Sequence, residues 1–268
     1  MTSRQLHPRR GGRLPAGLLV PAGIGVAFLL LPLLALLIRA PWRHLFGLLS
    51  GHDVLTPLRL SLETASMATV ASLILGVPMA WVLARLEFPG RGLLRALVTV
   101  PLVLPPVVGG VALLLGFGRS GVIGRWLYDA FGLSLPFTTT AVVIAETFVA
   151  LPFLVISVEG SLRALDPRFD EAAATLGASR WYAFTRVTLP MLAPGIGAGA
   201  VLCWARALGE FGATITFAGN FPGTTQTMPL TVYLALQDNP DGAIALSLVL
   251  LAVSIAILAL LRERWLRA

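Results

Sequence analysis

The chain of 268 residues contains no lysine, one cysteine and three histidines, and only 12% of its residues are charged. Each scarcity excludes a class of chemistry. A phosphate-binding loop of the form G-x-x-x-x-G-K-[ST] needs its lysine, so the chain is not expected to hydrolyse ATP itself. The lone Cys203 has no intrachain partner for a disulfide or a cysteine metal cluster and reads as a small packing residue. His7, His44 and His52 do not share a helical span, and neither an H-E-x-x-H pair nor a G-x-S-x-G elbow occurs. No catalytic residue, metal ligand set or bound cofactor is therefore assigned, and the chain is not read as an enzyme. With 56% hydrophobic residues and so little charge, it is not expected to be a soluble domain around one core.

What fills the chain is long apolar runs. A bilayer core about 30 Å thick takes roughly 20 residues of helix to cross. Six runs qualify, 14–38, 60–84, 93–116, 137–158, 195–217 and 242–261. They predict an all-α, polytopic membrane protein forming a single transmembrane domain over 1–268, with both termini on one side. The first run follows Arg4, Arg9, Arg10 and Arg13 and resembles a secretory signal, but it exceeds a normal signal core, so a retained first helix is expected.

The net charge of +7 is carried by arginine alone, and its placement sets the topology. Only Arg39, Arg43, Arg59, Arg119 and Arg125 fall on the side opposite the termini, and Arg206 lies within a span. The remaining arginines flank the other ends, including Arg85, Arg91, Arg95, Arg163, Arg168, Arg180, Arg186, Arg262, Arg264 and Arg267. The positive-inside rule then puts both termini and the segment 159–194 in the cytoplasm. Arginines flanking apolar spans also argue against a nucleic-acid surface, which gathers them on an independent domain.

Several spans carry local signals. Segment 39–59, with Pro41, Trp42, His44, Gly51, His52 and Asp53, reads as an outer loop. Pro89-Gly90 is a turn that should make the second and third helices close antiparallel neighbours. The third span holds Pro101, Pro105, Pro106, Gly109 and Gly110, which suit either a solute pathway or a kinked packing helix. Glu146 is costly against lipid and should face the bundle interior or lie near a boundary. Gly195 and Gly199 form a G-x-x-x-G step, and 228–236 is long enough for a short helix or re-entrant turn.

The polar segment 159–194 carries the most pattern. Asp166-Pro167 suits a helix start, Asp170 and Glu171 fall in its first turns, Ala172-Ala173-Ala174 favour helix, and Gly177 suits its left-handed end. A second short helix should follow, with Trp181, Phe184 and Val187 on one stripe and Pro190 limiting it. On residues alone this is a helical hairpin, which an interfacial element with Trp181 and Tyr182 at the lipid surface would also satisfy. Glu171-Ala172-Ala173, then Gly177, then Val187-Thr188-Leu189-Pro190 at these spacings resembles the cytoplasmic EAA loop in the membrane subunits of bacterial ABC importers.

That resemblance implies a type I importer permease in the bacterial cytoplasmic (inner) membrane. Glu171, Ala172, Ala173, Gly177, Val187, Leu189 and Pro190 would form the ATPase-coupling loop. The implied partners are cytoplasmic ABC ATPase subunits that use ATP and Mg, a periplasmic oxyanion-binding protein, and a second copy of this chain.

A second run, Arg206-Ala207-Leu208-Gly209-Glu210-Phe211-Gly212-Ala213-Thr214, is followed by Thr225-Gln226-Thr227-Met228-Pro229-Leu230. It is similar to the permease subunits of molybdate importers, with sulfate and thiosulfate permeases as relatives and tungstate as an indistinguishable cargo. Arg206 and Glu210 share a helical face. They either set the potential of an oxyanion pathway or lock helices together, in which case a dianion would pass a neutral cavity lined by hydroxyls such as those of Thr214 and Thr216. A reading of a different class is an ATP-independent channel or secondary transporter whose cytoplasmic hairpin is only structural.

Overall fold

The computed structural model describes residues 16–49, 52–166 and 168–265. The start of the first run at 14, the arginines Arg4, Arg9, Arg10, Arg13 and Arg267, and His7, Gly51 and Pro167 lie outside the described residues. All regular structure among the described residues is helical. Among the described residues, five helices are long and apolar enough to cross a membrane, or six if a sharply bent pair is counted as one span.

The helices follow in order as α1 Ala16–Ile38, α2 Leu45–Leu49, α3 His52–Arg85, α4 Arg91–Val103, α5 Pro106–Phe117, α6 Gly124–Phe131 and α7 Thr139–Ala164. The second half continues with α8 Arg168–Thr175, α9 Arg180–Ala183, a π-turn over Phe184–Thr188, α10 Leu189–Leu208, α11 Gly212–Phe217, α12 Met228–Asp238 and α13 Pro240–Trp265. At 1.5 Å per residue the 34 residues of α3 extend about 51 Å, well beyond the hydrocarbon thickness. The helix therefore begins earlier than the apolar run at 60.

The centre of the fold is a three-helix core of α3, α7 and α10. It is built from small residues that let backbones approach, Ala65, Ala68 and Ala80 on α3, Ala150 on α7, and Cys203 and Ala207 on α10. The G-x-x-x-G step belongs to this contact. A Cβ on Gly195 would lie 2.1 Å from Ser161 Oγ, one on Gly199 would lie 3.0 Å from Ser157 Cβ, and Ser157 donates to the Gly195 carbonyl at 3.3 Å. Cys203 is buried in this core, as its size suits.

Two of the expected spans are each divided between two helices. Between α4 and α5 the chain bends by 119°, where Leu104 and Pro105 leave the helical region and Pro106 opens the next helix. The Pro89-Gly90 turn, with Gly90 at φ 91°, brings the ends of α3 and α4 together, but the body of α4 packs on α7. The span expected at 195–217 is displaced: helix runs unbroken in direction from Arg180 to Leu208, stops at Gly209, and α11 is a separate short helix. Hydropathy averaging cannot see this second break, because Leu208–Gly212 is interrupted by one charge only.

α5 packs on α11, which also touches α7. Their core holds Leu113, Ala141, Ala145, Val149, Ala213 and Phe217. The segment 228–236 forms α12 and lies against α13 and α3, around Val54, Met228 and Leu246. α1 stands apart, with no residue of its most apolar window buried.

Candidate functional site

Two sites carry the polar chemistry, one at a helical hairpin outside the apolar core and one at the helix breaks.

The hairpin starts where Asp166 Oδ1 accepts the Arg168 amide at 3.0 Å. α8 then ends in a complete Schellman motif. The Ala178 amide donates to Ala173 O at 3.0 Å, the Gly177 amide donates to Ala174 O at 3.0 Å, and Gly177 takes φ 81°. α9 restarts with Ser179 as its cap, whose Oγ accepts the Tyr182 amide at 3.2 Å.

Pro190 does not limit the second helix. The Leu189 amide reaches back five residues to Phe184 O, widening one turn, and Pro190 enters as an early residue of α10. The wider turn spares the proline ring a clash with the preceding turn. The second limb of the hairpin and the membrane span are thus one helical rod from Arg180 to Leu208. Its Arg180 end is clamped by aromatics, with Phe184 6.1 Å edge-on from Trp81 of α3 and 5.9 Å from Trp181.

Of the residues expected to form the coupling loop, Ala172, Ala173, Gly177 and Val187 line one open groove of about 730 Å³ with Phe169, Leu176 and Tyr182. This face is largely apolar and uncovered: Leu176 is 88% exposed and Tyr182 57%. A Cβ on Gly177 would meet nothing. Glu171 sits on the other side, in a cleft toward the end of α3 lined also by Trp81, Arg85 and Arg180. Leu189 faces an apolar groove beside Trp81 and Ile196, and Pro190 is exposed at the start of α10.

At the second site the helix breaks meet. A Cβ on Gly212 would lie 2.7 Å from Pro106 Cβ, and one on Gly110 would lie 2.6 Å from Thr216 Cβ and 2.9 Å from Ala213 O. Only glycine permits so close an approach. Arg206 Nη2 lies 2.7 Å from Glu210 Oε2, and Glu210 Oε1 accepts the Ala213 amide at 2.8 Å. Glu210 is 1% exposed, so a single buried carboxylate ties the end of α10 to the start of α11. Arg206 stays 27% exposed in its side chain. Thr214 is wholly buried with no hydrogen-bond partner for its hydroxyl, while Thr216 donates to Gly212 O at 2.8 Å. Glu146 faces the interior, where Oε1 accepts from Thr64 Oγ at 2.9 Å.

Non-helical backbone at membrane depth is tolerated where it is buried in protein or lines a wet cavity. Paired broken helices with a half-open arginine have that character.

The sequence matches the family described as binding-protein-dependent transport system inner membrane component over residues 72–268. The chain belongs to this family. It is a multi-pass inner-membrane component of such a transport system, and its relatives are permeases. It is 50% identical over 249 residues to the molybdenum transport system permease protein ModB of Mycobacterium tuberculosis, covering 93% of each chain. It is 38% identical over 234 residues to the sulfate transport system permease protein CysT of Escherichia coli, covering 86% of this chain and 84% of that one. Among solved structures, a bacterial ABC transporter that imports the acidic polysaccharide alginate shares its fold, with a TM-score of 0.75, 18% identity and 94% of each chain covered.

One permease feature escaped the reading of the sequence. Glu159 of α7 accepts on a single oxygen from Arg95 Nη2 and from Arg163 Nη2, each at 2.7 Å. The i,i+4 spacing of Glu159 and Arg163 was a visible signal. Arg95, 64 positions away in sequence, gave none.

Proposed function

We propose that this chain is the membrane permease subunit of an ATP-driven ABC importer for molybdate, with tungstate as an equivalent cargo. Two copies would work with two cytoplasmic ATPase subunits, which bind ATP and Mg, and with a periplasmic oxyanion-binding protein. Both termini and the hairpin of α8 and α9 face the cytoplasm in this arrangement. The observation that carries the cargo is the gradient of likeness, 50% identity to a molybdenum permease against 38% to a sulfate permease.

The geometry supports the division of labour. The uncovered apolar face around Gly177 and Leu176 is the docking surface for the ATPase subunit, and Ala172, Ala173 and Val187 shape it. Because α9 continues through the π-turn into α10, a displacement at the docking face is carried along a rod to Arg206 and Glu210. Arg206 supplies the positive potential for a dianion at the helix breaks, Glu210 holds it in place, and Thr216 and Thr214 contribute hydroxyls beside it. Membership of a binding-protein-dependent family is at odds with a stand-alone channel or secondary transporter.

Sulfate or thiosulfate import is the second reading, favoured only by the CysT likeness. Vesicles reconstituted with the chain, its ATPase subunits and its binding protein should take up molybdate when ATP is supplied. Uptake of sulfate that molybdate does not inhibit would overturn the cargo assignment.

A further inference from the structure

The arginines at the inner end of α4 do more than mark topology. Arg91 Nε donates to Leu83 O at 2.9 Å, and Arg95 Nη2 donates to the same carbonyl at 3.3 Å. This is a carbonyl of the last turn of α3, of the kind that cations near a helix C-terminus satisfy. Arg95 also reaches α7, with Nη2 at 2.7 Å and Nε at 3.1 Å from Glu159 Oε1. Glu159 is 9% exposed in its side chain, so this ion pair is shielded from salt and water on one side.

Arg95 is therefore the one side chain in this network that touches three helices: its own α4, the end of α3 and α7. Each contact leads to part of the transport machinery. The end of α3 carries Trp81, which packs on Phe184 at the root of the hairpin. α4 leads through the 119° bend to α5, and α5 packs on α11, the helix whose start Glu210 caps. Arg163, by contrast, pairs with Glu159 within α7 and reaches no further helix through that bond.

We propose that Arg95, held by Glu159, is a positioning residue for energy coupling: it transmits movement of the hairpin and α3 to the broken helix α4–α5. It touches neither solute nor nucleotide. The inference rests on the hairpin being the ATPase docking element and adds a second route to the one along α10. Without the Arg95 bridge, α4 keeps the Arg91 bond to Leu83 O and its short turn from α3 but loses the ion pair to α7, so α3, α4 and α7 no longer move as one body and ATP is consumed while the helix break fails to change access.

The test compares wild type, Arg95→Gln and Arg163→Gln in vesicles containing the whole transporter with its binding protein. It reads ATP hydrolysed per molybdate imported. Mutations on a coupling route change coupling by amounts equivalent to roughly two- to thirtyfold, so Arg95→Gln should raise the ratio by about fivefold with the complex still assembled. Arg163→Gln should leave the ratio within about twofold of wild type, because its pair with Glu159 stays within α7 and links no second helix. An unchanged ratio in Arg95→Gln, equal rises in both variants, or an Arg95→Gln complex that alone fails to assemble would each overturn the proposal. Wild type that shows no ATP-driven uptake would instead overturn the transport function on which it rests.

Discussion

Glu210 concentrates the residue-scale physics of the helix breaks. Its two oxygens do separate jobs: Oε2 pairs with Arg206 and Oε1 caps α11 through the Ala213 amide. The two jobs separate by mutation. Glu210→Gln keeps an acceptor for the Ala213 amide and loses the ion pair. Glu210→Ala loses both and leaves the Arg206 guanidinium without its carboxylate, a deletion expected to cost about 3 kcal/mol. Thermal unfolding in detergent should rank wild type above Glu210→Gln and Glu210→Ala lowest, and uptake should fall in both. Equal stability of all three would mean that the carboxylate serves solute transfer alone. Gly110 illustrates a different constraint, since the nearest backbone atom, Ala213 O, would lie 2.9 Å from an added methyl and cannot rotate away as a side chain does.

At the scale of elements, the hairpin was legible in the sequence because its rules are local. Asp166, Gly177 and Ser179 each act on amides or dihedrals within a few residues, and the turn follows from them. The helix breaks were legible only in part. Pro105 and Pro106 announced that the third span is irregular, but a bend of 119° depends on what α5 packs against, namely α11, more than 90 residues later. Pro190 misled for a related reason, since a proline stops a helix only when the preceding turn cannot widen, and the π-turn over Phe184–Thr188 widens it. Likewise Arg95 looked like a flanking charge until Glu159 and Leu83 came to it in space.

The hairpin makes a prediction of its own. Gly177 sits at φ 81° with open space where a Cβ would go. Gly177→Ala should therefore cost only the left-handed strain, about 1 kcal/mol, and leave the complex assembled. Gly177→Asp adds a charge to an apolar face at a backbone conformation that Asp tolerates, so it should weaken co-purification of the ATPase subunit by about tenfold, equivalent to 1.4 kcal/mol. Undiminished association of Gly177→Asp, with transport intact, would place the docking face elsewhere.

For the whole molecule, the decisive surface is the outer side of the bent pair α4–α5. Val103 at the bend is 86% exposed, and Val107, Val108, Val111 and Leu115 continue the exposed face along α5. Exposed apolar side chains are at ease in lipid, as those of α1 are, and by themselves require no partner. The backbone at the bend is different, because the last carbonyls of α4 have left the helical ladder, and irregular backbone does not face hydrocarbon. Something polar or proteinaceous must cover the bend. In the proposed assembly, closed symmetry makes a second copy of the chain the natural cover, and that copy would also supply the second hairpin for a pair of ATPase subunits. With Cys203→Ser as background, Val103→Cys should therefore cross-link to Val103→Cys of a second copy through a short bis-maleimide in native membranes, whereas Leu29→Cys on the lipid-bathed α1 should react singly with a lipid-soluble maleimide. Single labelling of Val103→Cys by the lipid-phase reagent, without dimer formation, would mean that the bend is covered by something other than a second copy, and the paired arrangement would have to be abandoned.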